Sequence, residues 1–335
     1  FTDVTIETGL AEQAGKGLGL ACRDFNADGR MDFYVANDME ANRLWIQQPD
    51  GTFQDEALLR GVAFNALGDA EAGMGVASGD FDANGRFDLF LTHLSGETNT
   101  LYLALEDGAF TDGTARSDLG LPSLPWTGFG VAAFDLEHDG DLDLAVVNGR
   151  VKRGVPLPQT RLEGFWSDYA EPNQIYLNDG RGRFTDESGR AGRFCELFEV
   201  SRGLASGDID NDGDVDLLLT NCGGPARLFR NAAPKRGNWL LVRLIDPVMN
   251  RDAVGALVTV RAGDRELLRE CGTAAGYLTA NDPRLHFGLG QVERYDGIEV
   301  RWPDGRRESF PGGAAGRALT LRRGEGRHQT RDATP

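Results

Sequence analysis

Along the whole chain, short apolar runs alternate with turns rich in Gly, Asp and Asn, and few stretches carry the longer apolar period of an amphipathic helix. The runs predict strands, and they recur in a fixed order. A glycine-rich segment (15–24, 71–80, 126–135, 200–208) leads into an acidic nine-residue loop, and an apolar strand follows at 33–36, 89–92, 144–147 and 217–220. A third strand falls at 43–47, 100–104, 174–178 and 227–231. In the first three repeats a hairpin turn (Asp50-Gly51, Asp107-Gly108, Asp179-Gly180) then leads to a fourth strand beginning at 52, 109 and 183. Four antiparallel strands per repeat, with the loops 55 to 73 residues apart, are the pattern of a propeller blade. Residues 1–5 copy a fourth strand without its predecessors, so they are expected to close the last blade and complete a four-bladed ring. An open arc, or one completed in a dimer, is the alternative.

The loops read DFNADGRMD at 24–32, DFDANGRFD at 80–88, DLEHDGDLD at 135–143 and DIDNDGDVD at 208–216. Positions 1, 3, 5 and 9 hold Asp24, Asn26, Asp28 and Asp32; Asp80, Asp82, Asn84 and Asp88; Asp135, Glu137, Asp139 and Asp143; and Asp208, Asp210, Asp212 and Asp216. Position 7, which would offer its backbone carbonyl, is Arg30, Arg86, Asp141 or Asp214. Calcium takes six to eight oxygens at about 2.3–2.6 Å from a chain that turns tightly around the ion. Glycine at position 6 supplies the left-handed turn. A single such string also occurs as a solvated Asx turn without metal, but four copies in matched context favour up to four Ca2+ sites. Each loop runs directly into a strand and has no Glu at position 12, so none is an EF-hand.

The formal net charge is −17. Positions 1, 3, 5 and 9 of the loops contribute fourteen carboxylates, and without them the charge is −3. The acidity is therefore concentrated at the proposed metal sites, and no basic field remains for nucleic acid. No apolar stretch has the length of a membrane span. The chain opens at Phe1 without a basic and apolar leader, so either a leader has been removed or the chain is an excised piece. Such loops saturate in extracellular or periplasmic calcium, which makes secretion the expected compartment. Cys195 and Cys222 fall on long loops of one face, where a disulfide and free thiols both stay open.

The repeats resemble the FG-GAP/VCBS repeats of integrin α-subunit propellers. The segments NWLLVRL (238–244), NRDAVGALVTV (250–260), GYLTANDPRLHFGLG (276–290) and IEVRWPDG (298–305) resemble the ASPIC/UnbV domain. Together they are similar to the cartilage acidic protein 1-like family and its bacterial relatives. The resemblance implies an all-β chain: a calcium-binding propeller over 1–235, a small β-sandwich over 236–323, and a polar tail over 324–335. The sandwich also reads from the residues themselves, as apolar runs at 240–244, 256–261, 267–270, 285–289, 298–302 and 318–321.

Alternating strand direction puts the acidic loops and tight hairpins on one rim and the long, variable connections on the other. The longest connection, 148–173, carries Phe165, Trp166 and Tyr169, and Trp126 falls beside it. These aromatics are candidate anchors for a protein, glycan or small-molecule ligand. The competing reading is that Trp126 and Trp166 plug the mouth or seat the C-terminal domain. No nucleophile, zinc or phosphate-loop signature is present, and His286 reads as a packed strand residue. A binding or adhesion module with structural calcium is expected. The alternatives are an enzyme or accessory protein of natural-product (enediyne-type) biosynthesis, which the UnbV resemblance implies, and a purely structural repeat protein.

Overall fold

In the computed structural model, which describes residues 1–234, 237–248, 251–274 and 276–328, the repeats form four antiparallel sheets in sequence order. The first joins β1 (Gly17–Arg23), β2 (Asp32–Asn37), β3 (Arg43–Gln47) and β4 (Phe53–Asp55). The second joins β5 (Val76–Gly79), β6 (Asp88–Leu91), β7 (Thr100–Ala104) and β8 (Phe110–Asp112). The third joins β9 (Gly128–Phe134), β10 (Asp143–Asn148), β11 (Gln174–Asn178) and β12 (Phe184–Asp186). The fourth has three strands, β13 (Ser201–Gly207), β14 (Asp216–Asn221) and β15 (Arg227–Phe229). The register across each acidic loop is the same, with Arg23 opposite Asp32, Gly79 opposite Asp88, Phe134 opposite Asp143, and Gly207 opposite Asp216.

Alternate strand residues face opposite sides of each sheet, so each sheet can bury apolar side chains against two neighbours. Tyr34, Leu44, Leu89 and Tyr102 fill the space between the first and second sheets. Phe90, Leu101, Leu144 and Tyr176 fill the next gap, and Ala145, Ile175, Leu204 and Leu217 the third. A closed ring of four needs a fourth core. Among the described residues none joins the fourth sheet to the first. The two end faces leave Leu18 and Leu20, and Leu218 and Leu228, exposed. The sheets therefore stand in an open row, which was the alternative to the expected ring.

The closing strand expected from Phe1–Thr5 does not form. Asp3 Oδ1 accepts the Thr5 amide and hydroxyl, and the Val4 carbonyl accepts the Thr8 amide at 2.9 Å, so the segment bends locally. The chain then runs beside β4, where the Thr8 carbonyl accepts the Phe53 amide at 2.8 Å.

The C-terminal domain is a two-sheet sandwich, as expected. Its strands are β16 (Asn238–Ile245), β17 (Leu257–Ala262), β18 (Arg265–Glu270), β19 (Leu285–Gly290), β20 (Arg294–Arg301), β21 (Arg307–Ala314), β22 (Arg317–Arg322) and β23 (Arg327–His328). One sheet runs β19-β16-β22 and the other β18-β17-β20-β21-β23, over a core that includes Phe287, Val258, Val300 and Trp302. β23 pairs with β21, so the sandwich extends into the stretch expected to be a polar tail; 329–335 lie outside the described residues, as do 235 and 236 at the expected domain boundary.

Between β18 and β19 the chain leaves the sandwich and enters the repeat region. Gly276 exchanges backbone hydrogen bonds with Val76 at 2.7 and 3.2 Å, the Thr279 hydroxyl donates to the Leu204 carbonyl, and the Asp282 amide donates to the Ser206 carbonyl. The leading strands meet so closely that a side chain on Gly19, Gly75 or Gly130 would strike the next leading strand, with Cβ at 2.3, 2.0 and 2.7 Å from the Met74, Phe129 and Arg202 carbonyl oxygens. At the fourth sheet the corresponding Gly203 faces Thr279 instead. A C-terminal segment thus lies beside β13 where a fifth leading strand would otherwise pack.

Candidate metal centres

All four acidic loops adopt one conformation, and the carboxylates hold it. At position 1, Oδ2 of Asp24, Asp80, Asp135 and Asp208 accepts the amide of Gly29, Gly85, Gly140 and Gly213 at 2.8–3.1 Å. At position 9, Oδ2 of Asp32, Asp88, Asp143 and Asp216 accepts the amide at position 2, from Phe25, Phe81, Leu136 and Ile209. The same residues turn Oδ1 toward the next connection and accept the amides of Gln47, Ala104, Asn178 and Asn231 at 2.8–2.9 Å. Each position-9 Asp therefore ties its loop to the end of the third strand. Position 6 is left-handed, as the glycine predicts. Position 4 is left-handed too, with φ of 57–64° at Ala27, Ala83, His138 and Asn211, a strain at non-glycine residues that no residue pattern announced.

The loops differ in which carboxylate oxygens converge. Carboxylate oxygens of Asp80, Asp82 and Asp88 lie within 4.8 Å of one another, and so do those of Asp208, Asp210 and Asp216. These are positions 1, 3 and 9 in the two loops where all three are Asp. The first loop carries Asn26 at position 3, whose amide donates to Asp28 Oδ2 at 2.7 Å, and the third carries the longer Glu137. At position 5, the side-chain oxygens of Asp28, Asn84, Asp139 and Asp212 accept the amide of position 7. The position-7 side chains point elsewhere: Arg30 pairs with Asp28, Arg86 donates to the Asn84 carbonyl, Asp141 takes Arg265, and Asp214 lies 3.1 Å from His138 Nε2.

Burial makes these carboxylates costly to ionise without a cation. It pushes Asp32 up to about 6 and Asp88 up to about 8, and raises Asp143, Asp80, Asp135 and Asp208 as well. Asp208, a member of the second converging set, is 3% exposed, and its Oδ1 has no hydrogen-bond partner. A buried oxygen left unpaired among converging carboxylates fits a hard cation with oxygen ligands.

The rim that carries these loops is covered by the C-terminal domain. Arg269 is half-buried near Asp80 and Asp135, Trp239 packs on Gly213, and Gly288 packs so tightly on the third loop that a Cβ there would lie 2.0 Å from Asp135 Oδ2. His286, in β19, is half-buried and packs beside the buried His138 with ring centroids 5.0 Å apart, which agrees with its reading as a packed strand residue. A cavity of about 140 Å³ remains in the junction, lined by Arg23, Ser78, Asp135, Asp208, Arg269 and His286 among others.

The opposite rim carries the long connections between strands. Gly164–Tyr169 forms a 3-10 helix that brings Phe165, Trp166 and Tyr169 together, with ring centroids 5.1–6.3 Å apart. Trp166 wedges against Gly223 in the β14–β15 turn, while Phe165 is 60% exposed. Trp126 is half-buried and, among the described residues, makes no ring contact with the cluster. The insertion is anchored by Glu171, which accepts the Thr127 amide at 2.9 Å and Arg150 Nε at 3.2 Å, and burial pushes its carboxyl up to about 7. Cys195 and Cys222 are both free thiols.

Family comparison agrees with this division. A model of the FG-GAP-like repeat matches residues 24–91 and 80–146, and a model described as ASPIC and UnbV matches 247–328. Cartilage acidic protein 1 of Xenopus tropicalis is 30% identical over 314 residues, covering 91% of this chain and 44% of that protein. The human protein of the same name is 28% identical over 312 residues, covering 91% and 43%. The chain thus spans less than half the length of these curated relatives. Among solved structures, a V. cholerae biofilm matrix protein superposes with a TM-score of 0.31 at 10% identity, covering 88% of this chain and 48% of that one, too weak a likeness to carry fold or function. The chain therefore carries FG-GAP-like repeats followed by an ASPIC and UnbV domain, and it is homologous to cartilage acidic protein 1 over 91% of its length.

Proposed function

We propose that this chain is an extracellular binding or adhesion module whose repeat sheets form a propeller-type arc held by calcium. The observation that carries the calcium reading is the convergence of Asp80, Asp82 and Asp88, and of Asp208, Asp210 and Asp216, with a buried, unpartnered oxygen on Asp208. Asp24, Asn26, Asp28 and Asp32, and Asp135, Glu137, Asp139 and Asp143, repeat the same loop and are further ligand sets of the same chemistry. The ion's role is to neutralise carboxylates that burial disfavours and to fix the connection between the first two strands of each sheet.

Binding of a partner is assigned to the opposite rim, where Phe165 stands exposed on an anchored insertion. Homology to proteins named for cartilage supports an extracellular setting. Among the described residues no helix is long and apolar enough to cross a membrane. Titrating the metal-stripped chain with CaCl2 in a calorimeter tests the metal reading. Saturable heat that Asp88→Asn or Asp216→Asn reduces is expected. The absence of saturable heat up to millimolar calcium would overturn it.

A further inference from the structure

The C-terminal domain grips the acidic loops from outside. Arg265 donates to the Asp139 carbonyl and the Asp141 carboxylate. Arg269, on the same strand, donates to the Gly140 carbonyl at 3.1 Å, and Arg284 donates to the Asp208 carbonyl at 2.5 Å and to Asn211 Oδ1 at 2.6 Å. Arg301 lies 2.9 Å from Asp24 Oδ2. Apart from Asp24, none of these acceptors is an atom the ion would use. They are carbonyls of positions 1, 5 and 6 and side chains of positions 4 and 7, whereas a calcium loop ligates through side chains at 1, 3, 5 and 9 and the carbonyl at 7. Arg265, Arg269 and Arg284 therefore read the outer shape of the loops and leave the interior to the metal, whereas Arg301 pairs with a position-1 carboxylate.

Building on the calcium reading, we propose that ion binding and seating of the C-terminal domain are one linked equilibrium. An empty loop holds three or four carboxylates that repel one another, and its outer carbonyls are positioned only while the loop stays folded. An ion orders the loop yet leaves it net negative, since two positive charges do not neutralise three or four carboxylates. The arginines are attracted both before and after binding, and they find their acceptors in place only on the ordered loop. Seated arginines in turn hold the loop in its binding form, and by reciprocity each event strengthens the other by the same factor. The opposite coupling is the rival: a guanidinium close to the site would repel the ion, and removing it would tighten calcium binding.

The full chain decides between them. Calcium titration of the metal-stripped protein is compared with Arg269→Ala and Arg284→Ala, with far-ultraviolet circular dichroism confirming that each variant is folded. Arg284→Lys serves as a milder second variant at the same contact. Linked seating predicts about a tenfold loss of calcium affinity in the alanine variants and an increase in the X-ray scattering radius of gyration of the wild type when EGTA is added. Unchanged or tighter calcium binding in the folded variants, or an unchanged radius in EGTA, would overturn the linkage while leaving the calcium reading intact. No calcium binding by the wild type would overturn both.

Discussion

The two rims of the repeat region are made by the same sheets and differ in what their connections must satisfy. On the acidic rim every loop has nine residues, the same left-handed positions and the same amide-to-carboxylate bonds, and a second domain packs on top. On the opposite rim the connections vary in length, and Met39, Leu121, Val155 and Phe165 stand between 60 and 84% exposed. A loop that must organise buried charge has one solution, so it repeats. A loop that only has to join two strands is free to diverge, and that freedom is where recognition surfaces arise.

The contrast can be broken most forcefully by removing metal. Chelation with EGTA is expected to lower the melting temperature by about 10 °C or more, since each site at a hundredfold excess over its Kd contributes about 2.7 kcal/mol. An unchanged melt would remove the distinction between the rims. Next in size is Gly75→Ala, whose Cβ would lie 2.0 Å from the Phe129 carbonyl oxygen. Overpacking backbone against backbone should cost about 3 kcal/mol in a denaturant titration; a cost near zero would show that the leading strands can separate.

Asp88→Ala removes the acceptor for the Phe81 and Ala104 amides, both buried. It is expected to cost about 2 kcal/mol even in EGTA, where metal binding no longer contributes. On the other rim, Glu171 gives a pH signature. Its carboxyl is raised by burial to about 7, so the folded state holds the proton more tightly than the unfolded chain, and stability should decline as pH rises from about 4.5 to 7. Glu171→Gln should flatten that decline by on the order of 1 kcal/mol, measured by denaturant titrations across the same interval. Smallest of all, Phe165→Ser is expected to change stability by less than about 0.5 kcal/mol, which would mark the exposed ring as dispensable for folding.

Much of this architecture is legible from local chemistry. The Asp-Gly hairpins, the strand after each acidic loop and six strands of the sandwich follow from turn residues and apolar runs. β21 is harder, because its Pro311-Gly312-Gly313 stretch reads as a turn. Pairing with β20, where Gly297 stands opposite Pro311, makes it a strand. Phe1–Thr5 fails for the converse reason: a strand-like pattern lost to the local bonds of Asp3. The segment that enters the repeat region shows its Asp-Pro turn at Asp282-Pro283, and Asp282 does accept the Arg284 amide. Nothing local shows that its Gly276 would reach Val76.

The sequence by itself determined the repeat, the glycine turn of each loop and the identity of the carboxylates, because each depends on residues within a few positions of one another. Tertiary structure alone decided that the sheets stand in an open row and that the sandwich packs on the acidic rim. Those outcomes rest on contacts between residues more than a hundred positions apart, such as Arg269 with Gly140 and Arg301 with Asp24, and no local pattern encodes where such partners meet.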